Sequence, residues 1–414
     1  MGNSRKKQKS FKFRLRDLWT YDTGLVMAVI FLMVFGLVMI YSASYYEASM
    51  SAKFGNDPAY FLKNQLQWSA VGVVAMFVVA NFPYRYLRPF AWIGYGVAVL
   101  LILLLLTSLG VSANGATRWL QIPGLGQFQV AEPVKVAMIL FSAHFIAKYA
   151  GAIQQKNIWR SIKTMVLVML PALVIFVLIW KISNNMSTAM IVLGITCLMI
   201  FLVHPKYWPF VLVIAAGLAV VGMYLYMLIQ SPADAGSEGF RSARILAWLD
   251  PYSYESDKAY QALQALYAIG SGGLFGKGLG NSIQKLGRIP EPYNDMIFAI
   301  VCEELGVFGS GLIILMFIYL LYRLYCITQQ ADDLFGRLLS IGVFGHVALQ
   351  VILNLMVVTS LFPTTGVTLP FFSAGGTATV FLFVEFGIVL NVEKYARRKR
   401  EEQAGKQERV AELT

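Results

Sequence analysis

The chain has 414 residues, 57% of them hydrophobic and only 14% charged, with a formal net charge of +12. That apolar share is too high for a water-soluble chain of this length and points to a polytopic membrane protein. The excess of Lys and Arg gathers beside the apolar stretches, where it sets membrane orientation, so nucleic acid is not an expected partner.

In chain order, a basic segment over 1–22 holds Arg5, Lys6, Lys7, Lys9, Lys12, Arg14 and Arg16. The first apolar stretch, 23–42, ends in Ser42-Ala43-Ser44, which mimics a signal-cleavage site. Its run of roughly 19 apolar residues exceeds the usual signal core of about 7–15, so an uncleaved helix is expected. Further spans are predicted near 66–82, 89–109, 129–149, 164–182, 188–203, 208–229, 296–322, 338–361 and 376–392, ten in all. A second basic tail occupies 394–414. The even count, the two basic ends, and Arg85, Arg88, Lys148, Lys156, Arg160, Lys163, Lys206, Arg323 and Arg337 in the even loops predict that both termini are cytoplasmic. The expected fold is all-α, one membrane domain over 23–393 with about ten transmembrane helices and no internal repeat.

One connection is long: the stretch 230–295, predicted to be a large extracytoplasmic loop between the seventh and eighth spans. Ile245, Leu246, Trp248 and Leu249, then Tyr260, Leu263, Leu266, Tyr267 and Ile269, fall at helical spacing before a glycine-rich run over 270–280. This predicts an amphipathic helix along the membrane surface, followed by a tight loop. Arg241, Arg244, Lys258, Lys277, Lys285 and Arg288 supply either plain surface charge or a grip for an anionic lipid head group. The glycines would let backbone N–H groups approach phosphate.

The loop closes on Pro290-Glu291-Pro292-Tyr293-Asn294-Asp295. With Pro292 in the first helical turn, Asp295 is expected within that turn, ionised by the helix dipole and ready to take a proton. Glu303 and Glu304 lie about 80° and 180° around the same helix and about 12 Å or more further along it, so polar groups on neighbouring helices are their expected partners. A second polar cluster joins Arg118 and Trp119 to Gln129, Glu132 and Lys135, the last two spaced to pair on one helix face. A third, from Pro363 to Thr377, breaks the helix with two prolines and three glycines, as backbone lining a cavity does. Cys197, Cys302 and Cys326, and His144, His204 and His346, stand singly and suggest neither a disulfide framework nor a metal site.

These clusters, in this order on ten spans, resemble the SEDS family (shape, elongation, division, sporulation) of bacterial cell-wall polymerases, over about 23–393. The strongest matches are Pro290-Glu291, Asp295 to Ala299, Glu303-Glu304-Leu305-Gly306, and Thr365-Gly366-Val367-Thr368-Leu369-Pro370 with Ser373 and Gly375-Gly376. The wording looks most like the division branch, FtsW, with the elongation (RodA) and sporulation (SpoVE) paralogues close. Asn184-Asn185-Met186-Ser187-Thr188, Gln129-Val130-Ala131-Glu132, Tyr293-Asn294 and Ala374 depart from the family's common wording but leave the aspartate in place.

The resemblance implies an inverting peptidoglycan glycosyltransferase. It would polymerise Lipid II into β-1,4-linked glycan on the outer face of the cytoplasmic membrane, release undecaprenyl diphosphate and serve septal wall synthesis. Asp295 would be the catalytic base, and Arg118, Lys135, Arg241, Arg244, Lys285 and Arg288 would face the diphosphate. Glu132, Gln264, Ser271, Gly272, Gly273, Thr365, Ser373, Gly375 and Gly376 complete the implied substrate-binding set. A divalent cation (Mg or Mn) could share the diphosphate charge, although no ligand cluster demands one. The implied partners are the growing lipid-linked glycan, a class B penicillin-binding transpeptidase and other division proteins. A lipid-linked sugar transporter would use the same charges without needing a base, and a non-catalytic division scaffold would need only partner surfaces.

Overall fold

The computed structural model describes residues 21–113, 116–122, 126–230, 240–254 and 259–413. The basic stretch 1–20, Asn114, Gly115 and Lys258 lie outside the described residues. Each of the ten expected spans coincides with a helix. The first seven are α1 (Thr23–Met50), α2 (Tyr60–Asn81), α3 (Ala91–Leu104), α4 (Ala131–Ile153), α5 (Ile158–Ile182), α6 (Met186–Val203) and α7 (Trp208–Gln230). Two shorter helices follow, α8 (Phe240–Leu249) and α9 (Tyr260–Gly272), and then α10 (Ile297–Gln330), α11 (Leu334–Val358) and α12 (Gly376–Leu413).

Among the described residues nine helices are long and apolar enough to cross a membrane, α3 being counted with the 3-10 turn before it. The remaining long helix, α2, opens on the polar Lys63, Asn64, Gln65 and Gln67. The protein is an all-α polytopic membrane protein.

Short polar residues start several helices by satisfying orphan backbone N–H groups. Asp22 accepts from Leu25 N–H at 2.7 Å, Asn185 from Thr188 N–H at 3.1 Å, and Asp333 from Gly336 N–H at 2.7 Å. The core is built from α1, α4, α6, α10, α11 and α12, and α10 contributes buried residues along its whole length. Gly36 brings α1 so close to the loop before α12 that a Cβ there would strike the Phe371 carbonyl. Backbone approach of that kind takes the place of hydrophobic driving force between helices in lipid. The start of α1 and the later turns of α12 share one end of the bundle, where Asp22 pairs with Arg323 and Asp332 pairs with Arg85 and Lys399.

Two features at the other end escaped the sequence reading. Strands β1 (Gly110–Ala113), β2 (Ala116–Ile122) and β3 (Gly126–Gln129) form an antiparallel sheet in that order, with Trp119 opposite Val111 and Gln129. The amphipathic stretch of the long loop is two helices, because Asp250-Pro251 stops α8.

The glycine run has its own task. Gly306 has φ +66° and ψ −165° and breaks α10. Lys277 N–H and Gly278 N–H donate to the Glu303 and Glu304 carbonyls at 2.9 Å, while Val307 N–H and Phe308 N–H donate to the Gly273 and Leu274 carbonyls. The run therefore repairs the helix break with backbone hydrogen bonds, as buried irregular backbone requires.

Candidate active site

A cavity of about 780 Å³ opens at the end of the bundle away from Asp22 and Arg323. Its walls come from the α1–α2 connection and the first turns of α2, from β2 and β3, from α8, from the turns over 291–295, and from the loop over 364–377. Asp295 lines it. The sequence expectation placed this residue inside the first turn of its helix, but α10 starts at Ile297, and Asp295 sits in the preceding turns.

Asn354 of α11 holds that turn in place. Its Nδ2 donates to the Asp295 carbonyl and to the Val367 carbonyl, both at 2.8 Å, and so ties two walls together. Ser373 Oγ donates to the Asn294 carbonyl at 2.8 Å and accepts from Leu369 N–H at 2.7 Å.

Asp295 faces two arginines. A Cβ placed on Gly366 would lie 3.5 Å from Arg118 Nη1 and 3.9 Å from Asp295 Oδ2, so both groups converge on that glycine. Arg118 is carried by β2, and Arg244 by α8. Arg244 Nη1 donates to the Thr364 carbonyl at 3.1 Å, and Trp248 Nε1 to the Ser360 carbonyl at 2.8 Å, which docks α8 on the loop before α12.

Burial lowers the proton affinity of both guanidiniums, against which Asp295 pulls; Arg118 also depresses Arg244. The Asp295 carboxyl is pushed up to about 6, first by burial and then by the Glu291 charge, while its own backbone N–H and the two arginines oppose the rise. The dipole-held acid expected from sequence is instead a carboxylate made more basic by desolvation. It is still mostly ionised at neutral pH and is a better proton acceptor than an ordinary aspartate.

Of the sequence-predicted residues, Asp295, Arg118, Arg244, Thr365, Gly375 and Gly376 meet in this cavity. Glu132 and Ser373 line a smaller cavity of about 40 Å³ that shares Gln129, Thr368 and Ala374 with it. There Lys135 pairs with Glu132 at 2.9 Å and donates to Gln350 Oε1 at 3.1 Å. Gln350 Nε2 donates to the Thr368 carbonyl, which turns its Oε1 to His346 Nε2 at 2.7 Å; His346 Nδ1 meets Glu385 at 2.7 Å. Both ring nitrogens of His346 therefore face oxygens, Gln350 Oε1 on one side and the Glu385 carboxylate on the other. Lys135 thus supports the cavity floor from inside the bundle.

Other predicted residues lie elsewhere. Lys285 is buried, 2.6 Å from Glu304 and 2.9 Å from Ser42 Oγ. Ser271 joins Lys277 and Glu303, and Gly272 packs on the Cys302 carbonyl with Gly273 turning beyond it. Here the glycine run meets α10, so its backbone N–H groups are engaged by carbonyls where a phosphate contact was expected. Gln264 is half-buried on α9 away from the cavity, and Arg288 is exposed. Arg241 lies on α8, and its side chain is outside the described residues.

Sequence reading missed Lys53, Phe54, Phe61, Asn64, Glu291, Asn354 and the His346–Gln350–Glu385 group. Polar side chains inside apolar spans were a usable signal for the last four. Among the described residues no three His, Cys, Asp or Glu side chains gather to hold a metal.

Residues 23–398 match the model of the FtsW/RodA/SpoVE family of cell cycle proteins. The chain belongs to this family. Stage V sporulation protein E of Bacillus subtilis is 36% identical over 382 residues, covering 91% of this chain and 98% of that relative. A protein named probable peptidoglycan glycosyltransferase FtsW from Trichlorobacter lovleyi is 34% identical, covering 92% and 94%. Among solved structures, a peptidoglycan synthase complex described as coordinating polymerization and crosslinking matches with TM-score 0.69 at 26% identity, covering 90% of this chain and 98% of that one. The rod shape determining protein RodA of Thermus thermophilus matches with TM-score 0.62 at 26% identity, covering 90% and 97%. Family membership accounts for the shared helical plan that brings the three polar clusters together.

Proposed function

We propose that this protein is a peptidoglycan glycosyltransferase that polymerises Lipid II and inverts the donor's anomeric centre. The observation that carries the reading is the convergence of Asp295, Arg118 and Gly366 in one cavity that Arg244 also lines. The relatives named as glycosyltransferases support it.

In the reaction, the acceptor's 4-hydroxyl oxygen bonds to the donor's anomeric carbon as its proton passes to the Asp295 carboxylate. The bond from that carbon to the diphosphate oxygen breaks, and undecaprenyl diphosphate leaves with the electron pair. Arg118 and Arg244 face the charge that develops on it. Inversion follows from attack opposite the leaving group and turns an α-linked diphosphate into a β-1,4 bond.

Both basic ends lie in the cytoplasm on this reading, which puts the cavity at the outer face of the cytoplasmic membrane. The structural likeness to a synthase complex supports a single-span class B transpeptidase as partner, and the FtsW-named relatives support work at the division septum.

The test is polymerisation of labelled Lipid II by the purified protein with its cognate transpeptidase, comparing wild type with Asp295→Asn. The expected result is glycan strands from wild type and none from an equally well recovered variant. Equal strands from both would remove Asp295 as the base. No strands from a well-folded wild-type complex would favour lipid-linked sugar transport or scaffolding.

A further inference from the structure

We propose that a recess beside Asp295 is the subsite for the neutral terminal sugar of the acceptor, an N-acetylhexosamine presenting a free hydroxyl. This deepens the polymerase reading and rests on it. The recess has a volume of about 270 Å³ and is a side lobe of the main cavity: of its lining residues only Gln65 and Tyr293 do not also line the larger space.

Charge separates the two spaces. Arg118 and Arg244 line only the main cavity. The charges in the recess are one cation and one anion, Lys53 and Glu291, which the main cavity shares and which formally cancel; Glu291 already accepts from Asn294 Nδ2 at 2.7 Å. Its other polar lining is the Tyr293 hydroxyl and the amides of Asn64, Gln65 and Asn294. Gln65 is bonded at both ends and Asn294 Nδ2 donates to Glu291, so Asn64 is the amide best placed to meet a ligand. A diphosphate is drawn to the paired guanidiniums, whereas hydroxyl and acetamido groups are satisfied by amides.

The recess also has a rigid aromatic wall. The ring centroids of Phe54 and Phe61 lie 4.8 Å apart, and those of Phe61 and Tyr293 4.0 Å apart. Such a wall suits the C–H face of a pyranose, as binding sites pair apolar walls with a few placed polar groups. The wall is anchored: buried Gln65 donates to Thr379 Oγ1 at 2.7 Å and accepts from Gly375 N–H at 3.1 Å, while Tyr293 OH donates to Glu47 at 3.0 Å.

Asn294 lines both spaces and precedes Asp295 in the chain, so the base stands at the junction. An acceptor hydroxyl held in the recess gives its proton to Asp295 and attacks a donor whose diphosphate lies on the arginine side. Attack and departure then take place from opposite sides, as inversion requires.

Coupling with the two roles separated tests this, using the full chain with its transpeptidase. A labelled Lipid II epimerised at the terminal 4-hydroxyl serves only as donor, and natural Lipid II is varied as acceptor. Asn64→Ala, at an exposed position, and Phe61→Leu, which keeps apolar bulk, are expected to raise the acceptor KM about tenfold and leave donor half-saturation within about twofold. Arg118→Lys is expected to show the reverse. Equal shifts for both roles, or no shift in either, overturn the subsite; if Phe61→Leu is poorly recovered, Asn64→Ala alone decides. Coupling by Asp295→Asn at the wild-type rate would instead defeat the base assignment, and neither result imitates a split between the two KM values.

Discussion

A carboxylate in the wall of a half-dry cavity is more basic than one in water, and it costs the fold something to keep it ionised. Asp295 carries this cost because burial moves it from 3.8 to about 6. Between those values the native state retains a proton that the unfolded chain has released, so stability falls as pH rises through the window and the deficit is complete above about pH 6. Removing the charge removes the deficit. Asp295→Asn should therefore melt higher than wild type at pH 7.5, by on the order of 1–2 kcal/mol once partial exposure is allowed for, and match it near pH 4. Thermal unfolding at the two pH values checks this, and a variant less stable at pH 7.5 would contradict it. Wild-type polymerisation should fall off below about pH 6, where the base is protonated.

At the scale of elements, side chains of the same charge serve opposite ends according to what packs on them. Arg118 and Lys285 read alike in the sequence, as cations near an outer loop. The sheet delivers Arg118 to the cavity, whereas the turn after the glycine run delivers Lys285 to Glu304, with side chains 4% and 0% exposed. Nothing in local spacing separates the two, since the sheet's register and the break at Gly306 decide the outcome. Lys285→Met leaves a buried carboxylate unpaired and should cost about 3–5 kcal/mol. Adding Glu304→Gln should recover part of that loss, because both charges are then gone. Melting of the single and double variants tests the pair; a Lys285→Met protein of normal stability with a raised donor KM would instead return Lys285 to the substrate.

At the scale of the whole molecule, a helix at each of the ten expected spans was legible because apolar length is a local signal. Only nine of the described helices are long and apolar enough to cross a membrane, and Asp295 was found beside α10 but one turn too deep. The site's far wall was not legible, since Lys53 to Trp68 reach Asp295 only through the packing of α1 and α2 against α10 and α12. That packing is uneven. None of the apolar window of α7 is buried in the bundle, against 67% for α11, although α7 leads towards α8 and Arg244. The position of Arg244 is therefore set by α8 docking through Trp248 and Thr364, and α7 can follow the surrounding lipid without disturbing it. A matched pair of truncations tests this. Leu218 on α7 is 67% exposed and Leu338 on α11 is 0% exposed. Leu338→Ala should cost about 2 kcal/mol or more through the cavity it leaves, and Leu218→Ala within about 0.5 kcal/mol, with polymerisation unchanged in the latter. Equal losses at the two sites would mean that α7 is packed against the bundle in the membrane and that its position helps to set the arginine.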